Sequence, residues 1–399
     1  MKILFLTNKV PYPPKDGGSI ATLGMIEAFA DSGHITTVLA MNTRKHHITP
    51  FEIPQNLSAK VVFHLVEVPA KITIAGALSN LLFSHLPYNA ERFIDNKYHK
   101  KLQLLLTKQH FDVVQLEGLY LCPYTPTIRK YTKAKIAYRS HNIEHEIWER
   151  TLIQSRGIKK LYLQILSSRL RTFELKALNQ YDLLIPITRR DELQLKVLGN
   201  NKPSLAIPAG FSDEPNGADE QSFEMNLFFI GALDWSPNQE GLLWFLENCW
   251  SVILKKKPET ILKIAGRNAP DWLIEKIRVQ NIEFLGEIED ARSFIHKNGI
   301  MIAPLLSGSG MRVKIIEGMF YKKAIVTSPI GCEGIKVKNK QQLFIAGSPE
   351  IFTDYILTLL NNRELVVETG LKAFNFVKEE FDNQKLNRKL VAFYNQHLS

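Results

Sequence analysis

Two successive series of short apolar runs alternating with helical stretches constrain this chain more than any other feature. In the first series the runs fall at residues 2–7, 35–40, 60–66, 111–116, 135–139 and 182–186. Amphipathic segments at 19–32, 98–108 and 127–131 separate them. Such alternation predicts a mostly parallel sheet covered by helices, because parallel neighbours need crossover connections and bury both faces. Near residues 203–215 the pattern resets: 204–211 reads as a short strand, and 213–222, rich in Pro, Gly and acidic residues, reads as a linker. The second series has runs at 226–231, 260–266, 282–285, 299–304 and 324–327, with helices expected at 239–254 and 271–279. The expected division is 1–205, 206–377 and a helical tail 378–399, whose Phe381, Leu386, Leu390, Phe393 and Tyr394 form an apolar side suited to packing on the first domain.

A length of 399 residues accommodates two domains with separate cores. Cys122, Cys249 and Cys332 are far apart, odd in number and without metal spacing, which fits a reduced, cytoplasmic setting. The opening residues are too soon interrupted for a signal peptide, and no stretch reaches the roughly 18 apolar residues of a spanning helix. Fifty basic against forty acidic residues, a net +10, point to an anionic partner. No nucleic-acid motif is present. Seven basic residues gather at Arg150, Arg156, Lys159, Lys160, Arg169, Arg171 and Lys176 in helical-looking sequence, a pattern suited to anionic lipid or to plain solvent. Residues 72–87, apolar with small residues, suit either core packing or an acceptor at a membrane surface.

The chemistry concentrates at residues 299–317. An apolar strand there runs into Ser307-Gly-Ser-Gly310 and then into a helix that begins near Arg312, Lys314 and Glu317. Gly308 and Gly310 let backbone approach a ligand, and a helix start offers free N–H groups and a positive dipole end to a phosphate. Arg312 can fork onto phosphate oxygens while Lys314 acts as a point charge. Glu317 can accept from a pair of sugar hydroxyls. The segment therefore reads as a site for a sugar-linked nucleoside diphosphate. An ordinary strand–helix turn, with Lys314 and Glu317 as a surface pair, is the alternative. A second constellation, Arg139-Ser-His141-Asn-Ile-Glu144-His145, follows the fifth apolar run. His141 and His145 lack the His-Glu-x-x-His order, so a metal site is rejected.

Six fragments in sequence order resemble the retaining GT-B glycosyltransferases of family 4. They are Pro11-Tyr-Pro-Pro-Lys-Asp-Gly-Gly18, Ala206-Ile-Pro-Ala-Gly-Phe211, Phe229-Ile-Gly-Ala-Leu-Asp-Trp-Ser-Pro-Asn238, Ile264-Ala-Gly266, Phe284-Leu-Gly-Glu-Ile-Glu-Asp290 and the glycine turn itself. The resemblance implies an α/β fold of two Rossmann-like, doubly wound domains facing across a cleft, with the C-terminal helix packing back on the first. It implies a hexosyltransferase-type enzyme, using a nucleoside-diphosphate sugar to extend a glycan or lipid-linked acceptor in surface polysaccharide or glycoconjugate synthesis. No metal or other cofactor is implied, and the setting would be cytoplasmic, peripheral on the inner face of the membrane. By resemblance, His141 contacts the transferred sugar, Gly17 and Gly18 approach the phosphate, Glu317 holds the ribose hydroxyls and Gly266 borders the base. The chain departs from the pattern at Ser309, where the first of two glutamates is usual, and at Ala232 and Pro237-Asn238. Arg312 and Lys314 are then left to neutralise the diphosphate, and the 307–310 backbone with Ser309 to recognise the sugar. Glu240 reads as a surface residue. A sugar-nucleotide epimerase and a non-catalytic nucleotide-sugar or glycan-binding subunit are the competing readings. A dinucleotide oxidoreductase is disfavoured because no GxGxxG follows the first strand.

Overall fold

A computed structural model describes residues 1–212, 222–308 and 311–398. Most of the expected linker, together with Ser309 and Gly310, lies outside them. The chain forms two compact units: residues 1–210 with 383–399, and residues 211–382.

The first unit is built on six parallel strands: β1 (Lys2–Thr7), β2 (Ile35–Asn42), β3 (Val61–Glu67), β4 (Val113–Glu117), β5 (Lys135–Ser140) and β6 (Leu183–Pro186). Their spatial order is β3-β2-β1-β4-β5-β6. Side chains alternate across the sheet. Ile3 and Phe5 accordingly feed one buried cluster, while Leu4 and Leu6 feed the other. The second unit repeats the wiring with β7 (Glu224–Ile230), β8 (Leu262–Ala265), β9 (Ile282–Gly286), β10 (Asn298–Ala303), β11 (Ala324–Thr327) and β12 (Phe344–Ile345), in the order β12-β11-β10-β7-β8-β9. Leu227 and Phe229 face one core there, and Phe228 the other. In both units the strand order reverses beside the first strand, between β1 and β4 and between β7 and β10. That reversal is where doubly wound sheets open a crevice at their carboxyl ends.

Several boundaries differ from those the sequence suggested. Residues 204–211 are not a strand: Ser204 makes one bridge to Leu184, and Leu205 and Ile207 donate to Leu184 and Pro186 along the edge of β6. These bonds tie 206–210 to the first unit. The expected helical tail is two helices, Arg363–Glu380 and Asn383–Leu398. Between them Phe211 donates its N–H to the Phe381 carbonyl, and Phe381 packs in a core of the second unit instead of joining the tail's apolar side. Only Asn383–Leu398 returns, burying Leu386, Leu390 and Tyr394 against the face of the first sheet that carries Ile3 and Phe5.

Candidate active site

In the second unit the crevice end of β10 continues through Pro304-Leu-Leu-Ser307 to Gly308 and then to helix Val313–Phe320. Gly308 has φ +115°, a conformation open to glycine and strained for other residues. Arg312, 3% exposed, stands at the cap position of that helix, its guanidinium 4.0 Å from the Glu333 carboxylate. Lys314 donates to Asn238 Oδ1 at 2.6 Å and sits over the Phe229 ring, 4.7 Å from its centroid. Burial, with the Arg312 charge beside it, pushes the Lys314 ammonium down to about 7. Glu317 lies one turn further along. Burial pushes its carboxyl up to about 7, against the pull of Arg292. Two basic side chains and a buried carboxyl thus occupy the first turns of one helix, where free N–H groups add positive potential.

Three supports of this arrangement were not recognised from sequence. Asn238, in the segment that departs from the family pattern, is buried; it donates to the Ala232 carbonyl and accepts from Lys314. Glu240 is not a plain surface residue: it accepts from Ser236 and from Ser307 of the glycine turn, each at 2.7 Å, because helix Ser236–Phe245 runs alongside that turn. Trp235, half-exposed, lies against the same turn, its ring edge 3.4 Å from where a Cβ on Gly308 would stand. Gly266 has a packing cause, since a Cβ there would meet the Gly231 carbonyl oxygen at 2.1 Å.

The first unit places different chemistry at its own reversal. Asp16 caps helix Gly17–Asp31, accepting from Ser19 N at 2.9 Å and from Lys9 Nζ at 2.6 Å. Burial raises its carboxyl, but Lys9 outweighs this and holds it well below the usual range. Gly17 and Gly18 are the first residues of that helix. His141 follows β5 directly, and its Nε2 lies 2.9 Å from Glu117 Oε2 at the end of β4. Glu117 also accepts from Thr22 Oγ1 at 2.9 Å and from the Gln115 amide, with Arg139 Nε 3.7 Å away. Burial opposes the Glu117 charge, but the His141 bond and Arg139 prevail and hold the carboxyl below its ordinary value. Glu117 escaped the sequence reading. The pattern Val113-Val-Gln-Leu-Glu117 carried the signal, since two polar residues on one face of an otherwise apolar strand need a buried purpose.

His145 and Glu144 do not join this cluster's chemistry. His145 is buried with its Nδ1 2.6 Å from Glu174, and Glu144 accepts from Tyr120. Burial lifts the Glu144 carboxyl to about 7. Among the described residues no group of three or more His, Cys, Asp or Glu is placed to hold a metal ion. No described helix is long and apolar enough to cross a membrane.

Residues 224–362 match the family described as glycosyl transferases group 1. Over 397 residues the chain is 24% identical to an uncharacterized 44.6 kDa protein in the cps region of Klebsiella pneumoniae, covering 96% of this chain and 97% of that protein. Three solved structures share the fold at low identity. HepE from Anabaena, in complex with UDP-glucose, is 14% identical with a TM-score of 0.69, over 99% of this chain and 100% of that one. Sucrose-phosphate synthase from Thermosynechococcus elongatus is 14% identical with a TM-score of 0.71, over 99% of each chain. TarM is 12% identical with a TM-score of 0.73, over 99% of this chain and 98% of that one. The match to the glycosyl transferases group 1 lies within the second unit, and the chain as a whole shares the GT-B fold of these solved structures.

Proposed function

We propose that this protein is a retaining, metal-independent hexosyltransferase that takes its sugar from a nucleoside diphosphate. The single observation that carries this reading is the Arg312–Lys314 pair at the start of helix Val313–Phe320, beside the point where the second sheet reverses. When the bond from the anomeric carbon to the β-phosphate oxygen breaks and the acceptor oxygen bonds that carbon, negative charge collects on the departing diphosphate. Two cations and a helix start stabilise that charge most as it develops, which is the requirement for lowering a barrier. Glu317 is assigned to the ribose hydroxyls and His141 to the transferred sugar, with Gly17, Gly18, Ser309 and Gly310 in the proposed donor site. UDP is the favoured base, since HepE is described with UDP-glucose, and the relative in a cps region favours an acceptor in surface-polysaccharide synthesis.

A lipid-linked acceptor on an anionic membrane is supported by helix Ile74–Phe83. It turns Ile74, Leu78 and Leu82 outward, and Phe83 beside them is 85% exposed. Helix Gly157–Ala177 bears a second outward stripe, Ile158, Leu161 and Ile165, flanked by exposed Arg156, Lys159 and Lys160. Arg169 joins the two helices by donating to the Asn80 and Leu81 carbonyls, so it is a brace and not a free lipid contact. Apolar stripes rimmed by cations suit the interface of an anionic bilayer.

A thermal-shift screen against UDP, GDP, ADP, CMP and NAD, repeated with Arg312→Ala, tests the donor assignment. One nucleoside diphosphate at 100 times its Kd stabilises wild type by about 2.7 kcal/mol, and Arg312→Ala loses the response. A response that survives the substitution, or none at all, refutes the assignment.

A further inference from the structure

We infer that Tyr394, on helix Asn383–Leu398, is a positioning residue for His141, acting through Gln115 and Glu117. The inference rests on the proposed role of His141 at the sugar and adds a residue from the far end of the sequence to that site.

The path is a continuous line of hydrogen bonds inside the first unit. Tyr394, fully buried, donates its hydroxyl to Gln115 Oε1 at 2.5 Å. With its carbonyl so engaged, the Gln115 amide presents its NH2 to Glu117 Oε1 and to Met25 Sδ. Glu117 Oε2 is then fixed between Thr22 Oγ1 and His141 Nε2, both at 2.9 Å. A carboxylate can only accept, so the bond to Glu117 requires a proton on His141 Nε2. Nδ1 is buried and makes no hydrogen bond in the described structure.

The helix that supplies Tyr394 is seated firmly enough to transmit this restraint. Asn383 donates to the Gly24 carbonyl at 2.5 Å, and Asn387 to the Ala28 carbonyl at 2.9 Å and to Ser32 Oγ at 2.8 Å. All three acceptors lie on or at the end of helix Gly17–Asp31, which also carries Thr22. The other charged group facing the line is Arg139, wholly buried, whose guanidinium donates to Met25 Sδ at 3.0 Å. Low polarity around such a line strengthens each bond and raises the cost of an unmade one. If the tyrosine hydroxyl is lost, Gln115 Oε1 is left buried without that donor, and the amide no longer holds Glu117 in one place.

The test reads the imidazole first, without substrate. Side-chain ¹H–¹⁵N spectra of the full chain, with His141 assigned through His141→Gln, report its tautomer and hydrogen bonding. Tyr394→Phe keeps the ring and its packing; it is expected to shift the His141 nitrogens and to leave those of exposed His110 in place. Gln115→Met, which cuts the line at its middle, is expected to move the same resonances. In UDP-glucose hydrolysis, Tyr394→Phe is expected to lower kcat about two- to tenfold, the range of one net hydrogen bond, with KM unchanged. If both variants leave the His141 resonances unmoved, the inference is overturned, whatever happens to the rate. A shift in Tyr394→Phe together with full activity in His141→Gln sustains the coupling and removes instead the role proposed for His141.

Discussion

The two units share one wiring diagram and place opposite chemistry at its reversal. At β1 and β4 the first unit collects a carboxylate, a histidine, an arginine and a glutamine that mostly satisfy one another. At β7 and β10 the second unit collects Arg312 and Lys314 around a glycine turn, with Lys314 pressed toward neutrality by burial and by its neighbour's charge. The first cluster sets its carboxylate among donors of its own, whereas the second brings two basic side chains together at the start of one helix. Topology therefore fixes where chemistry is placed, and the charge balance among a few side chains sets what each place offers.

The largest test of this contrast addresses the first unit's internal pairing. Glu174 accepts from the Glu144 and His145 N–H groups at 3.0 Å and from His145 Nδ1. Glu174→Ala is expected to cost about 3–5 kcal/mol, as loss of one partner of a buried pair does, with UDP affinity unchanged. Denaturant unfolding and calorimetric titration of the same sample check both halves. A smaller loss is expected from Gly241→Ala in the second unit, where a Cβ would stand 2.1 Å from the Pro304 carbonyl oxygen. Overpacking of that kind costs about 1–3 kcal/mol, and the displaced β10 end should weaken UDP binding as well. If Gly241→Ala destabilises without touching UDP affinity, the glycine turn is not the receptor.

The smallest expected effect is one of pH. Burial and Arg312 bring the Lys314 ammonium down to about 7, and a bound diphosphate favours its charged form. Binding then takes up a proton above pH 7, so UDP affinity falls with rising pH by up to about tenfold per unit. Glu317 titrates in the same window, and its ionisation would favour contact with ribose hydroxyls, giving the opposite sign. The Lys314 slope is accordingly read in a Glu317→Gln background and should vanish on adding Lys314→Arg. Vesicle flotation probes the membrane reading: binding to anionic vesicles is expected for wild type and not for Leu78→Glu with Leu82→Glu.

Much of this was legible in the residues. Fully apolar runs such as Ile3-Leu-Phe-Leu6 can be satisfied only in a strand buried on both faces, and β11 falls where its run ends. The turn at Gly308 and the cations after it announced themselves by type and spacing. Glu117, Asn238 and Tyr394 did not, because each acts on a partner more than twenty residues away. Their partners become visible only when a crossover brings β4 beside β5, or a returning helix brings a hydroxyl to Gln115. The break at residues 381–382 was hidden for a similar reason. Helical periodicity continues through it, while Phe211 pairs with residues 381 and 382 between the two helices.

The return of helix Asn383–Leu398 to the first unit also sets an order of events during synthesis. Residues 211–382 emerge from the ribosome as an unbroken segment and hold every strand of their own sheet. The unit that begins first covers Ile3 and Phe5 in part with Ile26 and Phe29, and lacks Leu386, Leu390 and Tyr394 until the segment beyond residue 382 has been made. Contacts such as Gly24 to Asn383, spanning 359 residues, are the slowest kind to close. The half of the protein that starts first is thus completed last, and chains released early would carry a finished second unit and a first unit whose apolar face is only partly covered.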